Sequence, residues 1–245
     1  MMVKKIVFGL LALCCCACLA LADVSARQQK PAAATAAALD SSSSVELARA
    51  TLKAHGGEKF CNLKNTVLVG TADLFGPNST RAVPAQFVSV TEGVRARLEL
   101  NSPGFKLSYV DNGERHVTSI RGMELPPGKL GLNMLQKFDQ PGYTVTALPA
   151  QKKSPGFRIT DASGDATDFY VNTATGRVSL IVTTFDGNSN SVEFKSFKEI
   201  DGVVVPFNYV QKLSTPQGAY FAEYKVKEAK FNQKIGDDVF AIAAK

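Results

Sequence analysis

The chain has no tryptophan, two histidines and, beyond residue 18, one cysteine, Cys61. Two histidines exclude a His-rich metal centre, and a Ser-His-Asp triad would have to be built on His55 or His116. No Gly-x-Ser-x-Gly, no phosphate-cradling glycine loop, no His-Glu-x-x-His and no later cysteine pair is present. A lone Cys61 between Phe60 and Leu63 reads as a small core residue, without a disulfide framework. The formal charge is +6, yet no run of Lys or Arg is dense enough for a nucleic-acid footprint. The acidic residues fall mostly in turns, where Asp is expected anyway. The expectation is a protein that is not an enzyme, with no catalytic centre, metal or cofactor.

The first residues carry an address. Lys4-Lys5 precede an apolar run from Ile6 to Leu21, and Ala20-Leu21-Ala22 offers small residues at a cleavage site. That run is shorter than the roughly 20 residues a membrane span needs. Residues 1–22 are therefore read as a signal peptide, and the protein as bacterial and periplasmic or secreted, with no transmembrane domain after cleavage. Cys14, Cys15, Cys16 and Cys18 open the alternative of a lipidated N-terminal cysteine. Cys14 has Leu11 three places ahead but Leu13 directly before it; Cys18 has Ala17 directly before it but Cys15 three places back. Neither fits the lipoprotein pattern well, and cleavage to a soluble, monomeric protein is expected. Residues 23–42, rich in Ala and Ser, read as a flexible linker, and residues 43–245 as one domain.

That domain reads as mainly β with a few helices. Ser43 and Glu46 have capping-box spacing, so a helix is predicted from Ser43, ending at Gly56-Gly57. His55 at its end is read as a structural helix-end residue. From Val67 the apolar period becomes two, and strands follow one another through short turns. The stretch Asp168–Val226 is a meander, since tight turns join only antiparallel neighbours. Pro206 inside its Val203–Leu213 strand marks an edge or a bulge. Between the two strand runs, Pro126-Pro127-Gly128 opens a short amphipathic helix over Lys129–Phe138, either packing filler or a movable cover. Phe240 and Ile242 are expected to tuck the tail back onto the domain.

A curved sheet with more apolar residues than one face needs, crossed by amphipathic helices, encloses a hydrophobic cavity. Such a cavity, exported and without catalytic groups, points to lipid or acyl-chain binding. Leu98 on an early strand, Leu130, Met134 and Phe138 on the central helix, and Val205, Phe207, Tyr209, Tyr220 and Tyr224 on the meander are the candidate lining.

Several segments together resemble the LolA-like family of periplasmic lipoprotein carriers and outer-membrane lipoprotein-sorting proteins. They are the helix ending in Gly56-Gly57, the turn Phe60-Cys61-Asn62-Leu63-Lys64, the segment Tyr170–Gly176, and Glu199–Phe207. The resemblance implies an incomplete antiparallel barrel of about eleven strands covered by helices. It also implies an arginine on an early strand that bonds the covering helices; Arg97 is the best match and Arg95 the runner-up. A lipocalin would share the cavity, but its Gly-x-Trp start is absent. Two functions follow as expectations: a carrier of lipids or lipidated proteins, or a module that binds an envelope protein partner, as a stress sensor would, without transferring lipid.

Overall fold

In the computed structural model the described residues are 32–121 and 123–242, with side chains described from 43 onward. The expected signal peptide, its four cysteines and the first part of the expected linker lie outside them. Helix α1 (Ala32–Ala54) and the one-turn α2 (Glu58–Cys61) lead into five strands: β1 (Asn65–Phe75), β2 (Val83–Glu92), β3 (Arg95–Asn101), β4 (Lys106–Asp111) and β5 (His116–Thr118). A connection containing the single turn α3 (Leu132–Leu135) then reaches seven more: β6 (Thr144–Gln151), β7 (Ser154–Thr160), β8 (Ala166–Val171), β9 (Val178–Phe185), β10 (Asn188–Ile200), β11 (Val203–Thr215) and β12 (Gly218–Phe231).

All twelve strands form one antiparallel sheet in the order β5-β4-β3-β2-β1-β12-β11-β10-β9-β8-β7-β6. Two meanders, β1 to β5 and β6 to β12, are welded where β12 pairs with β1, from Thr66–Phe231 to Phe75–Phe221. The sheet does not close, so β5 and β6 are its two edges. The LolA-like resemblance implied about eleven strands; the short β5 makes the twelfth. Because β5 and β6 lie at opposite ends of the sheet, the chain between them, residues 119–143, has to cross from one edge to the other. We call it the crossover. Its regular helix is only Leu132–Leu135, shorter than the expected Lys129–Phe138, because Gly131 stands at φ 88° directly before it.

Helix α1 begins at Ala32, ahead of the Ser43 expected from the capping box, and occupies part of the expected linker. Six alanines among residues 32–39 supply that helical propensity. Its C-terminal half lies against β6 and β7, with Ala48 and Thr51 fully buried. The helix is then clamped by its last residues. The His55 ring is completely buried; its Nε2 accepts the Val178 N–H at 3.1 Å, and Nδ1 stands 3.4 Å from the Val204 carbonyl. The Val204 N–H in turn donates to the His55 carbonyl at 3.0 Å. An Nε2 that accepts leaves the proton on Nδ1, so the ring is neutral. Burial lowers its pKa from 6.5 to about 4, outweighing the opposing effect of the Val204 carbonyl. Gly56 follows at φ 118°, where a Cβ would fall 2.6 Å from the Gly202 carbonyl oxygen. No side chain fits there.

Pro206 lies on an interior strand. Of the two expectations, edge or bulge, the bulge is found: the β10–β11 register shifts between Ser196–Asn208 and Phe197–Pro206. That shift accommodates a residue with no N–H to donate.

Candidate functional site

Cross-strand partners share a face, which fixes what the inner surface of the first meander presents. Thr66 pairs with Thr91, which pairs with Ala96; one step along, Leu68, Ser89, Leu98 and Tyr109 are successive partners. Further on, Tyr209, Tyr224, Ala72 and Ala85 line up across four strands, and beside them Gln211, Ala222, Leu74 and Val83. The inner face therefore carries hydroxyls toward the start of β1 and becomes apolar toward its end.

The crossover closes over this face. Its second half is core: Met134, Leu135 and Phe138 are almost fully buried, and the Thr167 hydroxyl donates to the Met134 sulfur. Its first half is held mainly by polar contacts. The Asp111 carboxylate, itself buried, accepts the Gly128 N–H at 2.8 Å, and the Tyr109 hydroxyl donates to the Pro126 carbonyl at 2.9 Å. Lys129 pairs with Asp161 at 2.8 Å and with Asp165. At Gly128 a Cβ would stand 2.4 Å from that of Ala96, so the backbone approaches β3 as closely as a glycine permits.

Two cavities remain beneath the crossover. One, of about 320 Å³, is bordered by Thr66, Leu68, Ser89, Thr91, Leu130 and Thr183 among others. The second, of about 280 Å³, is lined by Leu74, Leu100, Phe105, Leu107, Met123 and Phe221 with further apolar neighbours. Leu98, Leu125 and Gln211 border both, so these three side chains form the partition. The rings of Tyr209 and Tyr224 stack at 4.7 Å, the first facing one cavity and the second the other. Burial pushes both phenols above their usual pKa, which keeps them protonated.

The residues singled out from the sequence are divided by this geometry. Leu98, Leu130, Val205 and Tyr209 border the first cavity, and Tyr220 and Tyr224 the second, with Leu98 shared. Met134 and Phe138 are buried in the core and line neither. Phe207 is buried too, with the Lys198 ammonium 4.1 Å above its ring. Arg97 borders the first cavity, but its guanidinium bonds Glu99 and the Val239 carbonyl at 2.8 Å. Arg95 bonds Glu92 and Asp237 and lies 4.5 Å over the Phe240 ring. Both arginines thus hold the C-terminal tail, correcting the expectation that either bonds the covering helices. Alternation along β3 explains this, because Ala96, Leu98 and Leu100 take the inner face and the arginines the outer. Cys61 is half-buried rather than core, with its thiol directed at the Gln136 carbonyl at 3.4 Å. Sequence reasoning missed Ser89, Thr91 and Gln211, polar residues on strands from which only apolar and aromatic side chains were picked out as lining, and Leu125, which lay outside the expected helix and strands. Among the described residues no group of three or more His, Cys, Asp or Glu is placed to hold a metal.

Comparison with protein-family models finds no match, and neither does comparison with curated protein sequences. Among solved structures, the chain is similar to a LolA superfamily protein from Nitrosomonas europaea, with TM-score 0.49 and 12% identity over 78% of this chain and 97% of that one. A domain named for outer membrane lipoprotein sorting, from Vibrio parahaemolyticus, has TM-score 0.49 and 11% identity over 82% and 97% of the two chains. A DUF1329 family protein from Desulfovibrio piger has TM-score 0.48 and 9% identity over the same shares. The architecture itself is a single unclosed antiparallel sheet of twelve strands among the described residues. These likenesses concern the fold alone.

Proposed function

We propose that this protein binds lipids, or the acyl chains of lipidated proteins, without catalysis, in the space between the sheet and the crossover. The observation that carries the reading is the pair of adjoining cavities divided only by Leu98, Leu125 and Gln211. Each is near the lower end of ligand-pocket sizes, about 300–1,000 Å³, and joined they accept an elongated apolar guest. Each methylene buried contributes about 0.8 kcal/mol, so a long chain offsets the cost of parting Leu125 from Leu98. The predicted signal peptide supports a periplasmic or secreted site of action for the single domain after it. No described helix is long and apolar enough to cross a membrane.

Native mass spectrometry of protein purified without detergent tests this. The expected spectrum contains a lipid-mass adduct that organic solvent removes; its absence after incubation with a lipid extract overturns the reading. The second reading, a module for a protein partner without lipid transfer, is favoured by β6, an eight-residue strand at the sheet edge with six exposed residues. Such an edge can pair with an extended segment. A lipid-free protein would leave that reading standing.

A further inference from the structure

Among the mostly apolar groups around the first cavity stand several uncharged polar side chains. Thr66, Ser89, Thr91, Thr183 and Gln211 all border it, and none of their side chains makes a hydrogen bond among the described residues. Thr183 is only 8% exposed, yet its hydroxyl, like the other four polar groups, stays accessible from the cavity. A ligand that covers these groups has to match them, because a hydroxyl or amide buried without a partner costs about 1–3 kcal/mol.

Among the described residues no positive charge beside this cavity is free to meet an anion. The Arg97 guanidinium is occupied by Glu99 and the Val239 carbonyl, and Lys129 by Asp161 and Asp165. Behind the wall formed by Tyr109 and Gly128 lies the buried Asp111 carboxylate, which would repel an anion. A phosphate or carboxylate entering this space would lose hydration with no opposite charge to offset the loss. Past the partition the lining is hydrocarbon and aromatic, and its rim includes Val83 and Phe221, both exposed.

Resting on the lipid-binding reading above, we infer that the two cavities take a neutral amphiphile. Its uncharged, hydroxyl- or ester-bearing head occupies the first cavity among Thr66, Ser89, Thr91 and Thr183, and one hydrocarbon chain occupies the second. Gln211, at the partition, lies where an ester joining head to chain would sit and offers it an amide N–H.

The test uses the purified protein and two lipids with the same chain, monooleoylglycerol and oleoyl-lysophosphatidic acid, mixed in equal amounts and read by native mass spectrometry. The expected result is one monooleoylglycerol per protein, favoured at least tenfold. Equal loading, or a preference for the lysophosphatidic acid, overturns the neutral-head inference and leaves lipid binding intact. Loading of neither overturns both. Ser89→Ala combined with Thr91→Val removes two hydroxyls at nearly constant shape and is expected to reduce the preference several-fold. An unchanged preference in the folded double variant would place the head elsewhere and overturn the assignment.

Discussion

Two segments cover this sheet, and they are held by different physics. The end of α1 is anchored by a fully buried neutral imidazole bonded to two strands and flanked by the rings of Phe60 and Phe197. The first half of the crossover is anchored by a carboxylate, a tyrosine hydroxyl and partly exposed ion pairs, and hydrocarbon side chains beneath it face empty space. Surface ion pairs are worth about 0–1 kcal/mol, whereas an aromatic core contact once broken costs several times that. On the lipid-binding proposal, the difference makes α1 part of the scaffold and residues 123–131 the part that yields to a ligand. The choice between filler and cover for the central segment is thereby divided within the segment itself. Within Lys129–Phe138, Met134, Leu135 and Phe138 fill the core, and Leu130 and Leu132 border the first cavity.

This contrast can be broken first at His55. His55→Ala removes the ring and leaves the Val178 N–H without its acceptor. The expected loss is about 4 kcal/mol in urea unfolding; a loss below about 1 kcal/mol would mean that α1 is not clamped there. A related effect follows from acid. The folded-state pKa of His55 is depressed from 6.5 to about 4, so the unfolded chain binds the proton more tightly. The contribution of His55 is fully present above pH 6.5 and is lost progressively as the pH falls toward 4. Over that window the loss is about 3 kcal/mol, and His55→Leu should flatten that part of the pH profile.

On the crossover, effects should be smaller on stability and larger on exchange. Gly128→Val forces the backbone away from Ala96 and breaks the bond to Asp111. It should cost about 2 kcal/mol while releasing a bound fluorescent acyl probe faster, measured by stopped flow. Lys129→Ala should change stability by less than about 1 kcal/mol and still speed release. If release rates are unchanged in both variants, the crossover is as rigid as α1 and the contrast fails.

Much of the architecture was legible because antiparallel strands announce themselves twice, by alternation and by turn residues. Asp186-Gly187 and Asp201-Gly202 sit at positive φ where β9 turns into β10 and β10 into β11. The order of the meander followed from those turns. The pairing of β12 with β1 has no such local mark, since it joins residues about 150 positions apart. The cavity was legible only in kind. Alternation marks Tyr209 and Tyr224 as inward but does not separate an inward residue that packs, such as Phe207, from one that borders space. The helix start was misread for a different reason: Ser43 and Glu46 satisfy a local capping rule, while the alanines before them carry the helix past it. The arginines show the same limit. Their strand and face were readable, but their partners belong to a tail more than a hundred residues away.

Leu98 borders both cavities and itself makes none of the polar bonds that hold the crossover, so it tests the central claim with little disturbance. Protein and Leu98→Trp variant, purified side by side without detergent, are extracted with organic solvent and the lipid is quantified per mole of folded protein. Near one lipid per wild-type chain and a several-fold lower load in the variant, with urea stability held within about 1.5 kcal/mol, is the expected result. Equal loads in the two proteins, or none in either, would contradict a lipid held between the sheet and its crossover.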